Sequence, residues 1–110
     1  MTEVTRRIIE AIRAVKPGAV SSYGDIARQA GLSNGARQVV RVLHTLAEKE
    51  RLPWHRIVRK DGSIALPPDR GGDLQAALLR AEGVAVSKTG KINMKKHKDI
   101  VRPDFPQTGR

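Results

Sequence analysis

From Ser22 to Leu46 the chain reads as two short amphipathic helices joined by a glycine-bearing turn, and this pattern constrains the fold most. Ser22-Tyr23-Gly24-Asp25 is a capping box: the Ser22 hydroxyl accepts from the Asp25 amide while the Asp25 carboxylate reaches back. The helix it starts carries Ile26, Ala27 and Ala30 on one face and stops at Gly31, with Leu32 as the apolar lid of the C-cap. After Ser33-Asn34-Gly35 a second helix begins near Ala36 and turns Val39, Val42, Leu43 and Leu46 inward. Such a pair is either a helix-turn-helix or an αα-hairpin of a small bundle. Arg37 and Arg41 on its second helix favour DNA binding.

The flanks complete a mainly α, winged helix-turn-helix-like domain. Val4, Ile8, Ala11, Ile12 and Val15 recur at helical spacing, and Lys16-Pro17-Gly18 ends that helix. Arg56 to Lys60, an Asp61-Gly62 turn and Ser63 to Leu66 predict a small β-hairpin, the wing. Pro67-Pro68-Asp69-Arg70-Gly71-Gly72 is a loop. Asp73 to Ala81 is expected to be a last helix burying Leu74, Ala77 and Leu78, closed by Gly83. Val84, Val86, Ile92 and Met94 alternate around Ser87 to Gly90, which predicts a second hairpin. The domain is expected to span 1–94, with 95–110 a basic, flexible tail.

Charge points to the partner. The 110 residues carry a formal net charge of +10, unevenly placed: Ile26 to Lys60 is +6 and Lys88 to the end is +5. Clustered Lys and Arg favour a polyanion, because their phosphate contacts release condensed counterions. The alternative is a soluble surface that happens to be basic. With 39% hydrophobic residues and one Trp, one Tyr and one Phe, the interior must be aliphatic. Zero cysteines exclude disulfides, thiolate zinc sites and cysteine nucleophiles within this chain. Neither a signal peptide nor an apolar run of membrane-spanning length is present, so a cytoplasmic protein without membrane association, cofactor or metal is expected.

Three motifs carry chemistry: Ser22-Tyr23-Gly24, Ala36-Arg37-Gln38-Val39 and Pro53-Trp54-His55-Arg56. Together, at gap-free spacing, they resemble the DNA-binding domain of the O6-alkylguanine-DNA alkyltransferases over about Val4 to Val86. In that family the third motif is Pro-Cys-His-Arg, and its cysteine takes the alkyl group. Tryptophan in that position marks the alkyltransferase-like proteins, which this chain resembles in length and motif. The family's separate N-terminal domain is not expected, since the first helix follows Met1 almost at once. The resemblance implies non-enzymatic recognition of O6-alkylguanine in double-stranded DNA, by minor-groove binding and nucleotide flipping. It also implies marking of the lesion for nucleotide excision repair proteins.

By the same resemblance, Arg37 is the finger that fills the vacated stack, where a planar guanidinium stacks and donates at once. Gly35 and Ala36 let the backbone approach DNA, with Gln38, Arg41 and Ser22 as further contacts. Tyr23 presses on the phosphodiester of the flipped nucleotide. Trp54 offers the extruded guanine a π-face, with His55 beside it in the lesion pocket. His55 and Glu82 are expected as a hydrogen-bonded pair behind Trp54, and Arg56 as a support for its loop. Structural alternatives stand beside each: a phosphate contact or solvated helix start for Arg37, a helix staple for Tyr23, a core side chain for Trp54. For His55 and Glu82 they are an exposed imidazole and a capping carboxylate.

Two positions depart from the transferases. Leu46 stands where they place an asparagine, and Pro67-Pro68-Asp69-Arg70 replaces their Gly- and Ser-rich lesion loop. Arg70 is the nearest candidate for an arginine against the alkylated base, although gap-free alignment falls closer to Pro67. A winged helix-turn-helix transcriptional regulator without lesion specificity is the alternative function. No segment resembles a dimerisation helix or effector domain, so a monomer is expected. An enzyme is disfavoured, since His55 has only Glu82 as a partner and no nucleophile or metal cluster is evident.

Overall fold

The computed structural model describes residues 1–99. Helix α1, Glu3–Arg13, starts where the Thr2 hydroxyl accepts from the Thr5 amide at 3.1 Å. Glu3 sits in its first turn and pairs with Arg6 and Arg7 on the solvent side. Its other face buries Ile8, Ile9, Ala11 and Ile12. Strand β1, Ser21–Ser22, leads directly into α2, Tyr23–Gln29, and α3 spans Ala36–Leu46.

The helix-turn-helix forms as the sequence implies. Ser22 caps α2 by accepting from the Asp25 amide at 3.1 Å. Gly31 takes φ +87°, a left-handed conformation that costs glycine little. Leu32 then donates its amide to Ala27 and packs on the core. The capping box is only half made, however. Asp25 turns to Arg28 and to Lys98, whose Nζ lies 3.3 Å away, and not back to the Ser22 amide.

Strand β2, Ile57–Val58, pairs in parallel with β1, matching Ser21 to Ile57 and Ser22 to Val58. Alternation across this two-stranded sheet separates two apolar clusters. Ile57 joins α1, α2 and α3, whereas Val58 joins Val20, Leu79, Val84 and Ile92. The sheet is therefore a septum, and whatever follows β1 and β2 is fixed from both sides.

The expected wing is corrected first. The turn at Asp61-Gly62 exists, with Arg59 N donating to Ser63 O, but the wing does not continue as a simple hairpin. Residues beyond it pair with the 84–94 segment instead: Ser63 bridges Lys91, and Ile64 N donates to Gly90 O. Parallel pairing to β1 and burial of Val58 divert the upstream arm. The second hairpin forms as expected, Val86 bridging Ile92.

Helix α4, Gly72–Ala81, is turned from its expected face. Gly72, Gln75, Ala76 and Leu79 face inward, while Leu74 is 56% exposed and Ala77 points outward. A polar residue, Gln75, occupies the centre of the buried stripe, so counting apolar positions alone selects the wrong stripe. Helix α5, Met94–His97, follows. Residues 97–99 then pair with Val20, just before β1, with Val20 N donating to His97 O and Asp99 N to Val20 O. The first residues expected in a flexible tail are thus packed; 100–110 lie outside the described residues.

Candidate nucleic-acid interface

Helix α3 presents a bare cationic edge. Arg37, Gln38 and Arg41 are exposed, and neither arginine pairs with a carboxylate among the described residues. Its first turn holds no acidic residue, and Gly35 caps it without a side-chain bond. Exposed Val40 lies between the two arginines on the same helix. This edge suits a phosphate backbone, since nothing on it competes for the guanidinium groups.

Two residues expected to contact DNA also have roles in the interior. Ser22 is 3% exposed and its hydroxyl is used as the α2 cap, so it positions Tyr23. Gly35 is buried beneath Leu32: a Cβ there would come within 2.5 Å of Leu32 Cδ1 and 2.7 Å of its Cβ. Its small size is demanded from inside. Gly35→Ala is expected to cost about 1–3 kcal/mol through overpacking, lowering the melting temperature by at least about 4 °C. Calorimetry checks this; an unchanged midpoint contradicts it.

Tyr23 opens α2 and is half-buried against the three-helix cluster. Burial raises its phenol above the ordinary pKa, and the nearby Arg59 charge offsets part of that. Its packing on the cluster is that of a helix staple.

Trp54 lies on a single 3-10 turn, Trp54–Arg56, which Pro53 starts. The turn is pinned by Trp54 N to Leu52 O at 2.8 Å and Arg56 N to Pro53 O at 3.1 Å. The indole is half-buried and meets the His55 ring edge-on, at 6.2 Å between centroids and 85° between planes. It is absent from both apolar clusters, which disfavours a core role.

Behind Trp54 runs the expected His55–Glu82 pair, and more. His55 Nε2 lies 3.0 Å from Glu82 Oε2, and a carboxylate only accepts, so Nε2 carries the proton. Arg56 grips the same carboxylate with both arms, Nε at 3.0 Å and Nη2 at 2.6 Å. Its remaining nitrogen donates to Val15 O at 3.0 Å, the backbone anchoring expected of Arg56. Arg56 chiefly, and His55 less, hold Glu82 down to a pKa of about 2. Gln75, unmarked in the sequence reading, donates Nε2 to His55 O at 3.1 Å and Ile57 O at 3.0 Å. Its spacing from Gly72 and Leu79 was the available signal.

Arg70 ends the 3-10 turn Pro68–Arg70 and is exposed, with no hydrogen bond to Tyr23, Trp54 or His55. A cavity of about 500 Å³ lies between α4, Ile64, Leu66 and residues 87–90, and contains none of Tyr23, Trp54, His55 or Arg70. Among the described residues no cluster of His, Asp and Glu can hold a metal, and no helix is long and apolar enough to cross a membrane.

Comparison with known proteins gives the family and the fold. Residues 3–84 match the family described as 6-O-methylguanine DNA methyltransferase, DNA binding domain. The Escherichia coli K12 DNA base-flipping protein is 43% identical over 94 residues, 84% of this chain and 71% of that protein. Alkyltransferase-like protein 1 of Schizosaccharomyces pombe is 32% identical over 99 residues, 86% of this chain and 92% of that one. The crystal structure of the S. pombe protein with damaged DNA containing O6-carboxymethylguanine superposes with TM-score 0.81 at 30% identity. That match covers 92% of this chain and 98% of that one.

Proposed function

Because the chain belongs to the family of the 6-O-methylguanine DNA methyltransferase DNA-binding domain, we propose that it recognises O6-alkylguanine in duplex DNA by flipping the nucleotide and does not remove the alkyl group. The observation that carries this reading is Trp54. By the resemblance of Pro53-Trp54-His55-Arg56 it stands where the family has its cysteine, on a turn locked by Arg56, Glu82 and Gln75, and it is only half-buried. An alkyl transfer needs a thiolate, and the chain has no cysteine. A stacking platform needs only a rigid, accessible ring.

An O6 lesion is hidden in the base stack, so close inspection requires extrusion, at a cost of a few kcal/mol that a weakened pair reduces. In this reading α3 enters the minor groove and Arg37 occupies the vacated stack. Tyr23 bears on the phosphodiester, and Trp54 stacks on the extruded base. His55, Arg56 and Glu82 hold the platform and take no part in chemistry. Arg70 would close over the alkyl group from the Pro68–Arg70 turn. Such a bound state would mark the lesion for nucleotide excision repair proteins, with the protein acting as a monomer in the cytoplasm. A relative known as a DNA base-flipping protein and another crystallised with damaged DNA support it.

Arg37→Ala is expected to abolish most of the preference for the lesion, whereas Lys95→Ala, on α5, weakens binding to all duplexes alike. Competition assays with modified and plain duplexes read both. Identical behaviour of the two variants would refute the finger role. The non-catalytic half is tested with a duplex whose O6-methyl group is radiolabelled. All label stays on the DNA if the proposal holds, and label on protein or in a released small molecule overturns it.

A further inference from the structure

We propose that Arg59 is a second backbone-gripping residue, acting with Tyr23 on the phosphodiester beside the extruded nucleotide. This rests on the lesion-recognition reading above and adds a residue that none of the three motifs contains. The β1–β2 register puts the two side by side. Ser22 pairs with Val58, and the next residue on each chain is Tyr23 and Arg59. Both therefore leave the same end of the sheet, fixed by apolar clusters on either side. The influence of Arg59 on the Tyr23 phenol agrees with that placement.

Arg59 is held at its backbone and free at its side chain. Its amide donates to Ser63 O at 2.9 Å, and its carbonyl accepts from Gly62 N at 2.8 Å. The turn has no slack: Gly62 has φ +91°, and a Cβ there would come within 2.2 Å of Ile92 O. The carboxylate on this turn, Asp61, is occupied by Ser63, which donates its amide at 2.9 Å and its hydroxyl at 2.6 Å. Arg59 is exposed and forms no ion pair among the described residues.

The surroundings are cationic. Exposed Lys60 and Lys91 flank the turn, Lys91 bridging Ser63 across the backbone. The carboxylate in the first turn of α2, Asp25, is already matched by Arg28 and Lys98. An anion reaching the Tyr23 hydroxyl would meet the guanidinium of Arg59; Asp61, the acid of this turn, accepts two bonds from Ser63 and lies within reach of the Lys91 and Arg59 charges. A phosphodiester fits: its two free oxygens match the planar fork of arginine, while a phenol hydroxyl supplies a single donor. Two anchors on one phosphodiester hold it rotated, which a lone tyrosine does less firmly.

The test measures dissociation constants for an O6-methylguanine duplex and its unmodified counterpart across a salt series. Arg59→Ala is expected to weaken lesion binding roughly tenfold and to make the log–log salt slope shallower by about 0.9. Arg59→Lys should restore the slope, because the charge remains, yet recover only part of the affinity; this separates grip from any loss of fold. In a Tyr23→Phe background the Arg59→Ala loss should shrink, since both residues serve one phosphate. An unchanged slope, or full independence from Tyr23→Phe, overturns the proposal. Equal wild-type affinity for both duplexes would instead overturn the lesion reading, while the Arg59 slope on plain DNA still reports the grip.

Discussion

Trp54→Ala is expected to weaken binding to an O6-methylguanine duplex by roughly 5- to 150-fold, because base stacking on an aromatic contributes about 1–3 kcal/mol. Binding to unmodified DNA should stay close to wild type. The asymmetry follows from where the ring sits. In the proposed reading Arg41 would meet the backbone of any duplex, whereas Trp54, on its 3-10 turn, would meet a base only after that base has left the stack. Stability should change little beyond the lost edge contact with His55, since the indole belongs to neither apolar cluster. Trp54→Phe keeps a smaller π-face and should fall between. Competition titrations with both duplexes measure the split, and equal losses on both would assign Trp54 to general architecture.

Glu82→Ala should produce the largest stability loss of any single change near the site, about 3 kcal/mol. It strips Arg56 of a two-armed partner and His55 Nε2 of its acceptor, in side chains that are only 14% and 13% exposed. Arg56 then retains the Val15 carbonyl alone. A loss of that size lowers the melting temperature of so small a domain by more than about 10 °C. The pH dependence has a definite sign. Glu82 titrates at about 2 in the folded protein against an ordinary 4.5. Its contribution is therefore complete above pH 4.5 and is lost as pH falls through about 2. Glu82→Gln lacks this titration, so its stability should approach that of wild type as the solution is acidified. Denaturation curves taken over that range decide it, and a constant gap between the two proteins contradicts the assignment.

Legibility in the sequence tracked locality. The Ser22 cap, the Gly31 stop and the inward face of α3 are set by residues within a turn of one another, and all are present. The His55–Glu82 pair was legible through family spacing, and geometry supplied Arg56 as its stronger partner. What stayed hidden depends on distant partners. Parallel pairing of β1 with β2 leaves no local signature, and it diverts the expected wing into pairing with residues 90–92. Gln75 escaped for a related reason: a glutamine looks solvent-facing until the carbonyls of His55 and Ile57 are brought above it. Gly35 was read as a close approach to DNA, and the packing of Leu32 over it, which leaves no room for a side chain, was not legible locally.

The central claim is that the tryptophan at the nucleophile's position is a stacking surface for a flipped, alkylated guanine. Trp54 is the only tryptophan in the chain, so its fluorescence reports on that position alone. Titration with a duplex carrying one O6-methylguanine should quench the emission and give binding at least about tenfold tighter than the matched unmodified duplex, a difference of about 1.4 kcal/mol. Equal affinities, with emission unmoved by the lesion, would contradict it.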